Sequence, residues 1–207
     1  MRILGIETTC DETGAAVVED PSTRSARSGR VGDRRSKILS NVVASSVGLQ
    51  KKYGGVVPEV AAREQVRVII PVIREALEQA SEVGGGRWEN GYRSGKLDGK
   101  KSHIAHQNPA SHFSHLISII DAIAIAHGPG LIGSLLIGVE TAKALALVWE
   151  KPLIAVNHLV AHVYANWLEQ VQSTEIMDHS KADHAVNYEL RTPNFPLVAL
   201  IVSGGHT

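Results

Sequence analysis

The chain has one cysteine, Cys10, no surplus of either charge, and no apolar run long enough to cross a bilayer. A single cysteine excludes an internal disulfide framework and fits a reducing compartment. Its 21 Lys and Arg balance 21 Asp and Glu, so no global field gathers nucleic acid, and contact with an anionic polymer must be local. The longest apolar stretches are broken by glycine or charge before the roughly 18 residues that a span requires. Glu7, Asp11 and Glu12 interrupt the N-terminal segment too early for a signal peptide. The expectation is a cytoplasmic chain with no membrane attachment, long enough at 207 residues to bury a core.

"RILGIETTCDETGAAVVED" is a short apolar strand, a polar turn from Thr8 to Gly14 and a second apolar strand, the pattern of a β-hairpin. "SKILSNVVASS" continues as a third strand. In "EVAAREQVRVIIPVIREALEQA" Val60, Val66, Ile70, Ile73 and Leu77 fall at near-helical spacing, with Pro71 an expected kink. "DAIAIAHGPG" follows as a buried-type strand, "GSLLIGVETAKALALVWE" as a helix, "KPLIAVNH" as a strand and "LVAHVYANWLEQ" as a helix. The predicted order is βββαβαβα, an α/β fold with a mixed sheet. "FPLVALIVSGGHT" then forms a further strand that reaches a Ser-Gly-Gly turn.

Two stretches break this order. Residues 21–37 hold Arg24, Arg27, Arg30, Arg34, Arg35 and Lys37 against one acid, Asp33, and are expected to be a basic loop between the second and third strands. Residues 81–118 are rich in Gly, Ser, Lys and His, and most of that span is expected to be a loosely held insertion. It contains His103, His106, His112 and His115, but no cysteine or acid beside them to complete a metal site, so a solvated polar loop is the simpler account.

The hairpin turn "ETTCDETG" brings two threonine hydroxyls, several amides and the Asp11–Glu12 pair to one edge of a sheet. That arrangement suits a metal-bridged phosphate or activation of an acceptor, although such residues equally serve to satisfy backbone groups in turns. "LIVSGGHT" repeats the plan, which suggests two half-domains facing one cleft, as in the actin-like ATPases. Gly128, Gly130 and Gly133 mark a strand-to-helix junction where the backbone can approach a ligand or a neighbouring element. This is no Walker A loop, because Lys143 lies too far downstream.

His158 and His162 are four apart, so on a helix both imidazoles share one face and can reach a single divalent ion. Zinc proteases with this spacing need a glutamate directly after the first histidine as general base. Leu159 stands there instead.

Five blocks in order, "GIETTCDETGAAVV", "YGGVVPEVAAREQ", "AHGPGLIGSLLIGVETAKALA", "VNHLVAHVYANWLE" and "FPLVALIVSGGHT", closely resemble the TsaD/Kae/Qri family of tRNA adenosine threonylcarbamoyltransferases. The resemblance implies an actin-like, ribonuclease H-like lobe at 1–194, with insertions near 21–37 and 81–118. Residues 195–207 would then be the first strand and phosphate turn of a second lobe that the chain does not complete. It implies transfer of a threonylcarbamoyl group from threonylcarbamoyl-AMP to the N6 amine of the adenosine beside the anticodon, in tRNAs reading codons that begin with A. His158 and His162 match the family's histidine ligands for iron or zinc, and Ile201, Val202, Ser203, Gly204 and Gly205 match its substrate turn. Asp11 and Glu12 match its acidic pair, which would orient the attacking amine or the leaving adenylate. Cys10 is expected to be a small buried residue rather than a nucleophile. Implied partners are tRNA, a paralogous small subunit and an ATPase subunit.

The family continues through a whole second lobe, with an aspartate that completes the metal site, beyond the point where this chain ends. The chain alone is therefore expected to hold metal weakly and not to turn over. A non-catalytic partner subunit has no use for the acids and histidines together, a small-metabolite kinase none for the histidines, and a metalloprotease lacks its glutamate. If the basic residues of 21–37 and 81–118 contact tRNA phosphates, deleting both loops should flatten the fall of tRNA affinity with rising salt. An unchanged salt slope would refute that role.

Overall fold

The computed structural model describes residues 1–20, 36–83, 109–166 and 168–170. The opening hairpin forms as its pattern requires: β1 (Arg2–Glu7) and β2 (Glu12–Glu19) are antiparallel, with Arg2 opposite Glu19 and Glu7 opposite Gly14. β3 (Lys37–Ser45) continues antiparallel beside β2. On the free side of β1, β4 (Ala122–Gly128) pairs in parallel, and β5 (Leu153–Asn157) pairs in parallel with β4. A two-residue β6 (Glu169–Gln170) joins β3, giving the order β5-β4-β1-β2-β3-β6. Three antiparallel strands, with two parallel ones beyond β1, make the ribonuclease H-like arrangement of an actin-like lobe.

Helices follow where the apolar period changes from two to nearly four. A short α1 (Val47–Gln50) and a 3-10 turn (Lys51–Tyr53) precede α2 (Pro58–Val83), which packs on β2 and β3. α3 (Pro109–Ser118) leads into β4, and α4 (Ile132–Val148) packs on β4 and against α2. α5 (His158–Ala165) follows β5 directly. The core lies between the sheet and the α2/α4 layer, where Leu4, Ile6, Val17, Leu77, Ile123 and Ile125 meet.

The buried face of α2 is not the one that Val66 and Ile70 suggest. Ile73 and Leu77 are buried, but Val66 and Ile70 are exposed, and the inner stripe is completed by Ala61, Gln65, Ile69, Val72, Ala76 and Ala80. That stripe holds four large aliphatic side chains, Ile69, Val72, Ile73 and Leu77, against Val66 and Ile70 on the exposed side, so burying it removes more apolar area from water. Pro71 does not interrupt α2: it sits on the exposed side, where the carbonyl it leaves unpaired can bond to water.

Two expected boundaries move. The insertion predicted at 81–118 is shorter, since Ser81–Val83 complete α2 and Pro109–Ser118 form α3, with Pro109 in the first turn and Leu116 and Ile120 buried. The last helix, predicted to reach Gln170, stops at Ala165. Asn166 turns its side-chain amide back on the His162 and Val163 carbonyls at 3.0 Å each, which ends the helix and frees Glu169–Gln170 to pair with Lys37 and Ile38. Lys37, placed in the basic loop by its charge, opens β3; the rest of that loop up to Arg35, and the strand expected over 195–207, lie outside the described residues.

On α4 the residues facing the sheet are Ser134, Gly138 and Ala142, one helical turn apart and all small. A Cβ on Gly138 would run into the Thr8 hydroxyl, with Ile125 Cδ1 at 3.1 Å, whereas one on Gly133 would meet only Ala62 Cβ at 3.7 Å. Both changes to alanine raise helix propensity by about 1 kcal/mol, but overpacking costs about 1–3 kcal/mol. Urea denaturation should therefore find Gly133→Ala neutral to stabilising and Gly138→Ala destabilised. Equal midpoints for the two would show that α4 does not press on Thr8.

Candidate active site at the carboxyl ends of β1 and β5

The alternation of β1 builds the site. Leu4 and Ile6 enter the core, so Glu7 faces the opposite side. The alternation persists beyond the last paired residue. Thr8 is fully buried toward α4, its hydroxyl donating to the Ser134 carbonyl at 2.9 Å. Thr9 returns to the side of Glu7, and its amide donates to Glu7 Oε1 at 2.6 Å. Thr8 is thus committed to packing and is not free to meet a phosphate, unlike the pair of hydroxyls the turn sequence suggests.

β5 delivers the histidines. Asn157 ends the strand and caps α5, its Oδ1 accepting the amides of Leu159 at 3.0 Å and Val160 at 3.2 Å. That cap starts the helix at His158 and puts His162 one turn later on the same face. His158, 6% exposed, lies against β1 with Nδ1 2.9 Å from Glu7 Oε2. Its Nε2 lies 3.1 Å from Nε2 of His162, with the two rings edge to face at 78°. Thr9 Oγ1 stands 3.4 and 3.5 Å from the two ring nitrogens of His158 and so favours neither. The pair therefore sits at the carboxyl ends of parallel strands, where open α/β sheets bind ligands.

The hairpin turn is held from behind. Leu131 N–H donates to the Thr9 carbonyl at 2.7 Å, and Ser134 Oγ and Gln65 Nε2 each donate to the Cys10 carbonyl at 3.0 Å. The Ser46 amide and hydroxyl donate to the Asp11 carbonyl at 3.1 and 2.7 Å, and Gln65 Nε2 reaches the Glu12 carbonyl at 3.1 Å. Gly130 is structural, since a Cβ there would lie 2.5 Å from the Thr9 carbonyl oxygen. With its carbonyls engaged inward, the turn presents a half-buried Asp11 and an exposed Glu12.

The sequence-predicted residues come together in part. His158 and His162 meet as the four-residue spacing requires, and Asp11 and Glu12 lie on the turn that also carries Thr9. The carboxylate on His158 is Glu7, which the sequence pattern did not single out. Its signal is parity: an acid ending a strand on the face opposite Leu4 and Ile6, one alternation before Thr9. Ile201 to Gly205, with His103 and His106, lie outside the described residues, and His112 and His115 belong to α3. Among the described residues no group of three His, Cys, Asp or Glu is arranged to hold a metal ion.

A ribonuclease H-like lobe, with a histidine pair and a carboxylate at the carboxyl ends of its parallel strands, defines the class as an actin-like α/β protein. The family model described as TsaD, tRNA N6-adenosine threonylcarbamoyltransferase, matches residues 37–82 and 115–178, just over half of the chain. The chain is 45% identical over 207 residues to a Thermomicrobium roseum protein of that name, and 42% identical over 205 residues to one from Symbiobacterium thermophilum. It belongs to the TsaD family. These matches cover 100% and 99% of the chain but 40% of each relative, so the chain spans well under half their length. A solved structure of YeaZ from Pseudomonas aeruginosa aligns over 80% of this chain and 50% of its own, at 16% identity and a TM-score of 0.41.

Burial pushes the Cys10 thiol up to about 11, helped by its hydrogen bond to Asp11 and the negative charge there. The folded state thus prefers the neutral thiol; this contribution to stability is present below pH 9 and is lost as pH rises through 11. With two pH units between the ordinary 9.0 and about 11, iodoacetamide at pH 8 should label Cys10 about 100-fold more slowly in the folded chain than in urea. Equal labelling rates would restore Cys10 as a candidate nucleophile.

Proposed function

We propose that this chain carries the metal-holding and acidic part of a tRNA N6-adenosine threonylcarbamoyltransferase site. The observation that carries this reading is the Glu7–His158–His162 arrangement at the ligand edge of a TsaD-family lobe. The donor set fits a divalent ion, iron or zinc. Two imidazole nitrogens at tetrahedral positions around a metal at 2.0–2.1 Å are about 3.3 Å apart. The Nε2 atoms of His158 and His162 are 3.1 Å apart, while a carboxylate occupies Nδ1 of His158, the side away from the ion.

When bound, the ion supplies Lewis-acid stabilisation to the carbamoyl-adenylate oxygens. The residues of this chain supply orientation. Asp11 and Glu12, on a turn braced by Gln65, Ser46 and Ser134, are open to a large substrate and would align the N6 amine or receive its proton as the new N–C bond forms and AMP leaves. Ile201 to Gly205 would form the substrate turn. The partners are tRNA, threonylcarbamoyl-AMP, a paralogous small subunit and an ATPase subunit, acting in the cytoplasm. Among the described residues no helix is long and apolar enough to cross a membrane.

The test is to extend the chain to the length of its relatives, combine it with the partner subunits, the adenylate-forming enzyme, threonine, bicarbonate and ATP, and assay unmodified tRNA by mass spectrometry of its nucleosides. His158→Ala with His162→Ala should abolish the modified adenosine, and Asp11→Asn should lower it at least 10-fold. Undiminished modification by the double variant would remove the histidines from the mechanism.

A further inference from the structure

Glu7 meets two donors at once, the Thr9 amide at Oε1 (2.6 Å) and the His158 imidazole at Oε2 (2.9 Å). An ionised carboxylate only accepts, so the ring nitrogen facing it must carry the proton. In the neutral ring this leaves the lone pair on Nε2, the atom 3.1 Å from Nε2 of His162. The Thr9 contact anchors the carboxylate, because an amide held in the turn through the Leu131 bond to the Thr9 carbonyl cannot rotate away. Glutamine has the same shape but only one acceptor oxygen. It would have to turn its NH₂ toward one of the two donors, and an NH₂ facing Nδ1 favours the other tautomer, with the proton on Nε2.

We propose that Glu7 is the positioning residue of the histidine pair: it holds the His158 proton on Nδ1 and so presents the Nε2 lone pair, beside His162, to a divalent cation. This rests on the metal reading above. The preference is built into the apo chain, since both bonds exist without an ion, and it acts through His158 rather than by contact with the cation.

The test uses the 207-residue chain labelled with ¹⁵N. At pH 8 and without metal, long-range ¹H–¹⁵N correlation should show His158 protonated at Nδ1, and a ring protonated mainly at Nε2 would overturn the proposal with no substitution needed. Glu7→Gln should move the ring toward the Nε2-protonated form and weaken zinc binding, read by calorimetry, by about 10- to 100-fold. Glu140→Gln, which removes an exposed acid on α4, should leave both unchanged. Zinc affinity or tautomer unmoved in Glu7→Gln would sink this proposal alone. No saturable zinc binding by the unsubstituted chain would sink the metal reading and this proposal together.

Discussion

The side-to-side alternation of β1, carried three residues past its last apolar position, is the constraint on which the site depends. Leu4, Ile6 and Thr8 point into the α2/α4 layer; Glu7 and Thr9 point away from it. A slip of one residue would exchange the two sets, burying a carboxylate and exposing the core, so the register of the hairpin and the chemistry of the site are one commitment. The parallel pairing of β4 with β1 and of β5 with β4 then brings the start of α5 to the same edge.

The turn between β1 and β2 is positioned by its packing as much as by its own conformation. Small residues on α4 and the glycine at 130 allow close approach, and Thr8, Ser134 and Gln65 tie the turn to two helices through buried and half-buried hydrogen bonds. Each bond is worth about 1 kcal/mol net, and more if one partner were lost and the other left buried. The glycine-rich junction therefore reads as a brace that holds the turn in place, and the residues left facing outward are the acids.

A protease reading has no support in this geometry. Leu159 follows His158, and Glu7 meets His158 at Nδ1, behind the ring, where a carboxylate orients the imidazole rather than a water on the open side.

Much of this was legible in the linear sequence because it is local: the hairpin from its period-2 strands, the βαβ order from the change of period, and the facing of His158 and His162 from their four-residue spacing. The phase of α2, the end of α5 at Asn166 and the helix at Pro109–Ser118 were decided by packing and capping. Val66 and Ile70 show the limit of periodicity, since on a helix apolar on two sides the face that buries more aliphatic side chain, here Ile69, Val72, Ile73 and Leu77, takes the core. The sequence alone determined the opening strands, the βαβ order that follows them and that two imidazoles share a face. Only the tertiary structure could bring Glu7 to His158 across 151 residues, because strand order, not sequence distance, sets which strand ends are neighbours.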